Sequence, residues 1–208
     1  MTTVLVTGFG PFPGAPFNPT GPLVRGLARL RRPAFTDVTI VSHVFQTSYE
    51  AVDRELPRLI ARHKPDALLM FGLAPRAKTV RIETRARNTL IRRPDVSGRS
   101  PHGDSIVRGG PSYVVLPVPA RRAFSAGRAA RIPIMFSRDA GGYLCNYLCW
   151  RAAEAAQHSG PRITTFIHVP PVARFPRRRG RRQKVTFSDL FRAGSAFLVA
   201  IAATARRR

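Results

Sequence analysis

Thr3-Val4-Leu5-Val6-Thr7 opens the stretch that decides the fold: a β-branched, apolar run that breaks at once into Gly8-Phe9-Gly10-Pro11-Phe12-Pro13-Gly14. No regular element survives so dense a run of glycine and proline, so a strand must end there in a loop. Asn18-Pro19-Thr20 then opens a helical stretch with Leu23, Leu27 and Leu30 at helical spacing, and Asp37–Val44 reads as a second strand. Ala51–His63 is an amphipathic helix with Val52, Leu56, Leu59 and Ile60 on one face. Lys64-Pro65-Asp66 stops it, and Ala67–Phe71 is a short apolar strand ending at Gly72. This β-α-β-α-β alternation predicts an α/β fold, with helices on both faces of a sheet.

Farther along, Arg85–Pro111 is polar, rich in Pro and Gly and weakly periodic, which predicts a long functional loop. Ile132–Ser137 reads as a buried strand, and Gly141-Gly142 gives way to a helix from Tyr143 to His158. Ser159-Gly160-Pro161 breaks that helix, Ile163–Val169 is a strand closed by Pro170-Pro171, and a last helix occupies Ser188–Ala203. With no internal repeat and no composition break, residues 1–208 are expected to form a single domain.

The apolar fraction is 44%, which excludes a disordered chain. No apolar stretch approaches the roughly 18 residues a bilayer span needs, Phe197–Ala205 being the longest, so no membrane association is expected. Met1-Thr2-Thr3-Val4 lacks a basic leader region, which predicts no secretory signal and a cytoplasmic protein. The net charge of +24 is carried almost entirely by arginine scattered through every segment, which reads as a solvated surface. The exceptions are Arg174–Lys184, with seven basic residues in eleven, and the tail Arg206-Arg207-Arg208. Nucleic acid would be held there at most non-specifically, through phosphates, with Phe175 the one aromatic residue in the run.

Cys145 and Cys149 are four residues apart and form neither a disulfide framework nor a metal-binding spacing. Cys145 falls in the first turn of the predicted helix and His168 at the end of the following strand. If Ile132–Ser137 and Ile163–Val169 run parallel, both lie at the carboxyl edge of the sheet and meet in space. A thiol at a helix N-terminus gains thiolate character there, and an imidazole beside it can protonate a leaving amine. The loop Asp139-Ala140-Gly141-Gly142 adds backbone N–H groups that suit an oxyanion. From the residues alone, two readings stay open: a nucleophile with its base, or an inert buried thiol and a satisfied core histidine. Cys149, on the packing face with Leu148 and Ala152, reads as structural. The Gly8-Phe9-Gly10 loop has Pro13 where a dinucleotide fingerprint needs its third glycine, which argues against nucleotide binding.

Thr7-Gly8-Phe9-Gly10-Pro11-Phe12, Asn18-Pro19-Thr20, Phe71-Gly72-Leu73-Ala74, Ile82-Glu83, Leu144-Cys145-Asn146-Tyr147 and Phe166-Ile167-His168-Val169-Pro170 resemble, in this order, the pyroglutamyl peptidase I family of cysteine peptidases. The resemblance runs from about residue 3 to 171. It implies a three-layer α/β/α sandwich with a mostly parallel, mixed sheet. It also implies a thiol-dependent peptidase that uses no metal or cofactor and removes pyroglutamate from the N-terminus of peptides. Cys145 matches the family nucleophile, His168 the general base and acid, and Glu83 the carboxylate that orients the imidazole. Phe9 and Phe12 match the residues that grip the lactam ring, Asn18 one that braces their loop, and Tyr143 and Leu144 the pair lining the ring. Backbone groups near Gly72, Leu73 and Ala74 are expected to meet the lactam's polar atoms. Family members are often tetramers, which makes a homo-oligomer the expectation.

The chain departs from the family pattern at Pro13, in Thr84–Pro94, which is about a residue short, and in compressed segments around Ser100–Ser125 and toward the C-terminus. Arg92 and Arg93 both stand near the place of a family arginine. Read alone, Glu83 is a carboxylate on a strand among Arg81, Arg85 and Arg87, free to form an ordinary ion pair. Two other functions remain compatible with these residues: a divergent homologue that binds another lactam or amide, and a basic polyanion-binding protein.

Overall fold

Alternation along the first strand sorts the two faces of the sheet: Val4 and Val6 pack into one apolar core, and Leu5 and Phe9 into a second on the opposite side. A computed structural model of the chain describes residues 1–158, 160–172 and 185–207. In chain order the elements are β1 (Thr2–Phe9), α1 (Thr20–Ala28), β2 (Val38–Phe45), α2 (Tyr49–His63), β3 (Ala67–Leu73), β4 (Val80–Glu83) and β5 (Arg85–Arg87). There follow β6 (Tyr113–Val115), α3 (Ala120–Ala129), β7 (Ile134–Ser137), α4 (Leu144–His158), β8 (Ile163–Val169) and α5 (Phe187–Ala205). Six strands form one sheet in the order β2-β1-β3-β8-β4-β7. Pairing is parallel from β2 through β8, antiparallel between β8 and β4, and parallel again between β4 and β7. The fold is the expected three-layer α/β/α sandwich on a mixed, mostly parallel sheet.

Leu23, Val24 and Leu27 of α1, Ala123 of α3, and Leu190, Phe197, Leu198 and Ile201 of α5 cover one face. Val52 and Leu56 of α2 and Leu144, Leu148 and Ala152 of α4 cover the other. Each large side chain so buried contributes roughly 1.5–3 kcal/mol. Local chemistry sets the ends: Ser48 accepts from the Ala51 N–H at the start of α2, and Thr186 and Asp189 form a reciprocal capping box at the start of α5.

Three expectations need correction. β7 does not run parallel to β8; through β4 it is antiparallel, so the two do not frame a β-α-β crossover. The direction of a strand is decided by its partners, and nothing in Ile134–Ser137 itself records it. The segment Arg85–Pro111 is mostly irregular, but its start, β5, pairs antiparallel with β6 beyond it, and α3 follows where no helix was expected. Finally, α5 runs for 19 residues and is long and apolar enough to cross a membrane by length and composition. Asp189 caps its first turn, and Arg192, within the helix, donates to the Ala130 carbonyl. Half of the span is buried against the sheet and its neighbouring helices, the packing of a core helix. The basic run Arg174–Lys184 lies wholly outside the described residues, as does Arg208.

Candidate active site

The carboxyl ends of β1, β3 and β8 and the start of β4 meet under the N-terminus of α4. The α4–β8 connection alone secures this. Because only residues 159–162 join them, α4 must run back along β8, and its first turn falls over the end of that strand. Cys145, in that turn, is half-buried and shares a cavity wall with His168. Gly72 is the register partner of His168 on β3. A Cβ there would sit 2.7 Å from the Cys145 sulfur and 2.6 Å from the Phe166 ring, so only glycine lets the thiol come down onto the sheet.

His168 is 6% exposed and Glu83 0%. Glu83 Oε1 lies 2.8 Å from His168 Nδ1, which leaves Nε2 for the thiol. Burial alone would lower the imidazole's pKa, but the Cys145 thiolate and the Glu83 carboxylate outweigh it and push it up to about 9. At neutral pH the ring is therefore held in its charged form. Arg85 and Arg87 turn away from Glu83, to the Arg138 carbonyl and to Asp139. Cys149 is fully buried in the α4 core, and burial raises its thiol well above the usual range, keeping it neutral.

Cys145 and His168 open onto a cavity of about 370 Å³, within the range of small-molecule sites, roughly 300–1,000 Å³. Phe9, Phe12, Leu73, Tyr143 and Leu144 line it. Asn18 also reaches the wall, but its polar atoms are spent on the loop. Its Nδ2 donates to the Gly10 carbonyl, and its Oδ1 accepts from both the N–H and the hydroxyl of Thr20. The Thr20 hydroxyl in turn bonds to the Phe9 backbone. Phe12 and Ala15 exchange backbone hydrogen bonds around Pro13-Gly14, with Gly14 at φ +88°. Proline at the first central position and a positive-φ glycine at the second is what a type II turn asks for, so Pro13 fits its place. Of the two candidate arginines, Arg93 lines the cavity. It stacks over the Tyr143 ring at 5.2 Å, and the Tyr143 hydroxyl donates to the Pro94 carbonyl.

Leu144, Cys145 and Asn146 stand in the first turn of α4, where N–H groups have no carbonyl four residues back; the Tyr147 N–H is the first to find one, on Tyr143. The Gly141 N–H, one of those expected to face an oxyanion, is instead taken by the Asp139 carboxylate at 2.9 Å.

The family model for pyroglutamyl peptidase matches residues 2–179. The chain belongs to the pyroglutamyl peptidase family. A pyrrolidone-carboxylate peptidase of Thermococcus kodakarensis is 33% identical over 171 residues, 80% of each chain. Pyrrolidone-carboxylate peptidase 1 of Ralstonia nicotianae is 34% identical over 172 residues, 82% of this chain and 79% of that one. Among solved structures, the pyrrolidone carboxyl peptidase of Thermococcus litoralis superposes with a TM-score of 0.85 at 27% identity, covering 100% of this chain and 97% of the other. Pyroglutamyl peptidase I of Bacillus amyloliquefaciens gives 0.83 at 27% identity, with 98% of each chain covered. This pyroglutamyl peptidase family member is thus a hydrolase of the peptidase class.

Within this pyroglutamyl peptidase fold, eight of the ten predicted site residues line one cavity; Gly72 lies beneath the thiol, and Glu83 lies buried behind the His168 ring. Sequence reasoning passed over Thr20, Asn146 and Arg81. Asn146 is fully buried and ties the first turn of α4 to β5 through the Arg87 N–H and the Arg87 and Thr89 carbonyls. Its signal was available: an amide beside the thiol, at a helix start, is expensive to bury unless it is holding a neighbouring segment.

Proposed function

We propose that the chain hydrolyses the amide bond that follows an N-terminal pyroglutamyl residue, with Cys145 as nucleophile, His168 as acid and base, and Glu83 as the group that orients the imidazole. The observation that supports this reading is Cys145 beside His168 in the wall of a cavity lined by Phe9 and Phe12, with Glu83 bonded to the far side of the ring. A lactam is flat and uncharged, so aromatic faces suit it, whereas a free ammonium would lose its hydration on entering.

The Cys145 thiolate attacks the pyroglutamyl carbonyl carbon, and the oxygen takes up the negative charge near the unpaired N–H groups at the start of α4. The His168 imidazolium gives its proton to the leaving nitrogen, the C–N bond breaks, and a thioester on Cys145 remains with neutral His168. Water then loses a proton to His168 and attacks the thioester. Collapse releases pyroglutamate and restores the thiolate–imidazolium pair. Glu83 stabilises the ring whenever it is charged and holds its orientation when it is neutral.

The test is release of a fluorescent amine from a pyroglutamyl amide beside the matching prolyl amide, in reducing buffer, with wild type and Cys145→Ala. Cleavage of the pyroglutamyl compound alone, abolished in Cys145→Ala, is the expected result. A well-folded wild type that cleaves neither compound would sink the reading.

A further inference from the structure

The site is laid out across the sheet, strand by strand. Phe9 ends β1; next to it Gly72 of β3 lies beneath the Cys145 sulfur; next again His168 ends β8; and opposite His168, on β4, stands Arg81. With strands ~4.8 Å apart, the aromatic end and Arg81 are separated by about 14 Å, with the thiol and the imidazole between them. Arg81 and His168 are direct antiparallel register partners, so their side chains leave the same face about 5 Å apart at Cβ. Arg81 also lines the cavity.

Its charge is unmatched. Among the described residues no carboxylate pairs with Arg81, and its Nε is buried without a hydrogen-bond partner. Glu83, two residues on and on the same face, gives Oε1 to His168, and its Oε2 is buried and unpartnered too, so the two side chains do not meet. Asp139, the one carboxylate on the cavity wall, is engaged by the Gly141 N–H and by Arg87. A guanidinium is seldom kept in a cavity wall with nothing to bind, because desolvating it is costly.

We propose that Arg81 is a specificity-determining residue that selects substrates whose leaving residue carries a carboxylate. The inference rests on the peptidase reading above, which puts the lactam at Phe9 and Phe12, the scissile carbon at Cys145 and the departing nitrogen at His168. The leaving residue then extends toward β4. Its carboxylate is either the α-carboxylate of a pyroglutamyl dipeptide or the side chain of an aspartate or glutamate. Both lie within a few bonds of the nitrogen, and a guanidinium takes either in the same forked geometry.

Two matched pairs separate the sources: pyroglutamyl-alanine against pyroglutamyl-alanine amide, and pyroglutamyl-glutamate amide against pyroglutamyl-glutamine amide. The readout is the ratio of kcat/KM within each pair, at low and high salt. Wild type should favour the carboxylate member of at least one pair by about tenfold at low salt. The ratio should fall to about 1 in Arg81→Gln and recover in part in Arg81→Lys. Because each ratio is internal, a variant that folds less well lowers both members together. Equal rates within both wild-type pairs overturn the proposal. So does a preference that survives in Arg81→Gln, which would assign it to the general positive field of the chain. Failure of wild type on all four compounds, and on the pyroglutamyl fluorogenic amide, would fall on the peptidase reading and take this one with it.

Discussion

His168 and Glu83 are diagonal partners: the register sets His168 opposite Arg81 and Glu83 opposite Phe166, yet Nδ1 and Oε1 come to 2.8 Å. A diagonal neighbour in an antiparallel pair is about 7–8 Å away at Cα, within reach of a glutamate and a histidine but not of two short side chains. The antiparallel turn of β4 against β8 therefore does chemical work. In a parallel pairing the register would differ, and the carboxylate would not be delivered to Nδ1 in this way. The contact also fixes the ring so that Nε2 faces Cys145.

Replacing Glu83 by Gln keeps the volume but removes the charge and can reverse the hydrogen bond, since an amide N–H pointing at Nδ1 imposes the wrong tautomer. We expect kcat/KM on a pyroglutamyl amide to fall by about 10²- to 10⁴-fold, with KM changed little, because the carboxylate acts on the imidazole and not on the lactam. Steady-state kinetics beside a urea melt separates this from unfolding. A loss smaller than tenfold in a folded Glu83→Gln protein would remove Glu83 from the mechanism.

The pH profile follows from the sign of the His168 shift. Its ordinary value of 6.5 is raised to about 9: burial acts to lower it, and the Cys145 thiolate and Glu83 outweigh burial. The proton needed by the leaving amine is therefore held through neutrality and lost as pH rises through about 9. We expect kcat/KM to fall along an alkaline limb near 9, moved to lower pH in Glu83→Gln. The same shift contributes stability that is complete below about 6.5 and disappears toward 9. An activity profile still level at pH 10.5 would contradict the assignment.

Much of this was readable in the chain, for physical reasons that also mark where reading stops. Thr3–Thr7, Ala51–His63, Ala67–Phe71 and Ile163–Val169 carry their own periodicity and stops, and the structure extends each by no more than about two residues. The meeting of Cys145 with His168 was argued from a parallel β7, which is wrong, yet it survives because the short α4–β8 connection suffices. α3 is hard to read: of Ala120–Ala129 only Ala123 and Gly127 are buried, and Phe124 is its single large apolar side chain, so its inward face is made mostly of small residues. Arg81 was visible only as a neighbour of Glu83. That it faces a cavity instead follows from register with β8, which no single segment encodes.

Gly72 is where the sheet makes room for the sulfur. In Gly72→Ala the new methyl meets the Cys145 sulfur at 2.7 Å and the Phe166 ring at 2.6 Å, so one of them has to move. Displacing the sulfur by about 1 Å costs on the order of 10²-fold in rate, and overpacking costs about 1–3 kcal/mol in stability. Both kcat and the rate of Cys145 alkylation should drop, while the overall fold persists in circular dichroism. Unchanged alkylation would show that the Phe166 ring, and not the thiol, had yielded.

Asn18 holds the aromatic loop without offering a polar atom to a ligand, since its side chain is committed to Gly10 and Thr20. Asn18→Ala removes three hydrogen bonds and leaves the Thr20 N–H and the Gly10 carbonyl to find other partners, although Thr47 still bonds the latter. The loss in stability should be about 1–3 kcal/mol. Phe9 is anchored in the core of its strand, but Phe12 depends on the loop, so ring gripping should loosen while the thiol and imidazole stay in place. KM for a pyroglutamyl amide should therefore rise about tenfold with kcat reduced much less, and the pH profile should keep its alkaline limb. A variant with normal KM and a collapsed kcat would instead tie Asn18 to the reacting groups and contradict a bracing role.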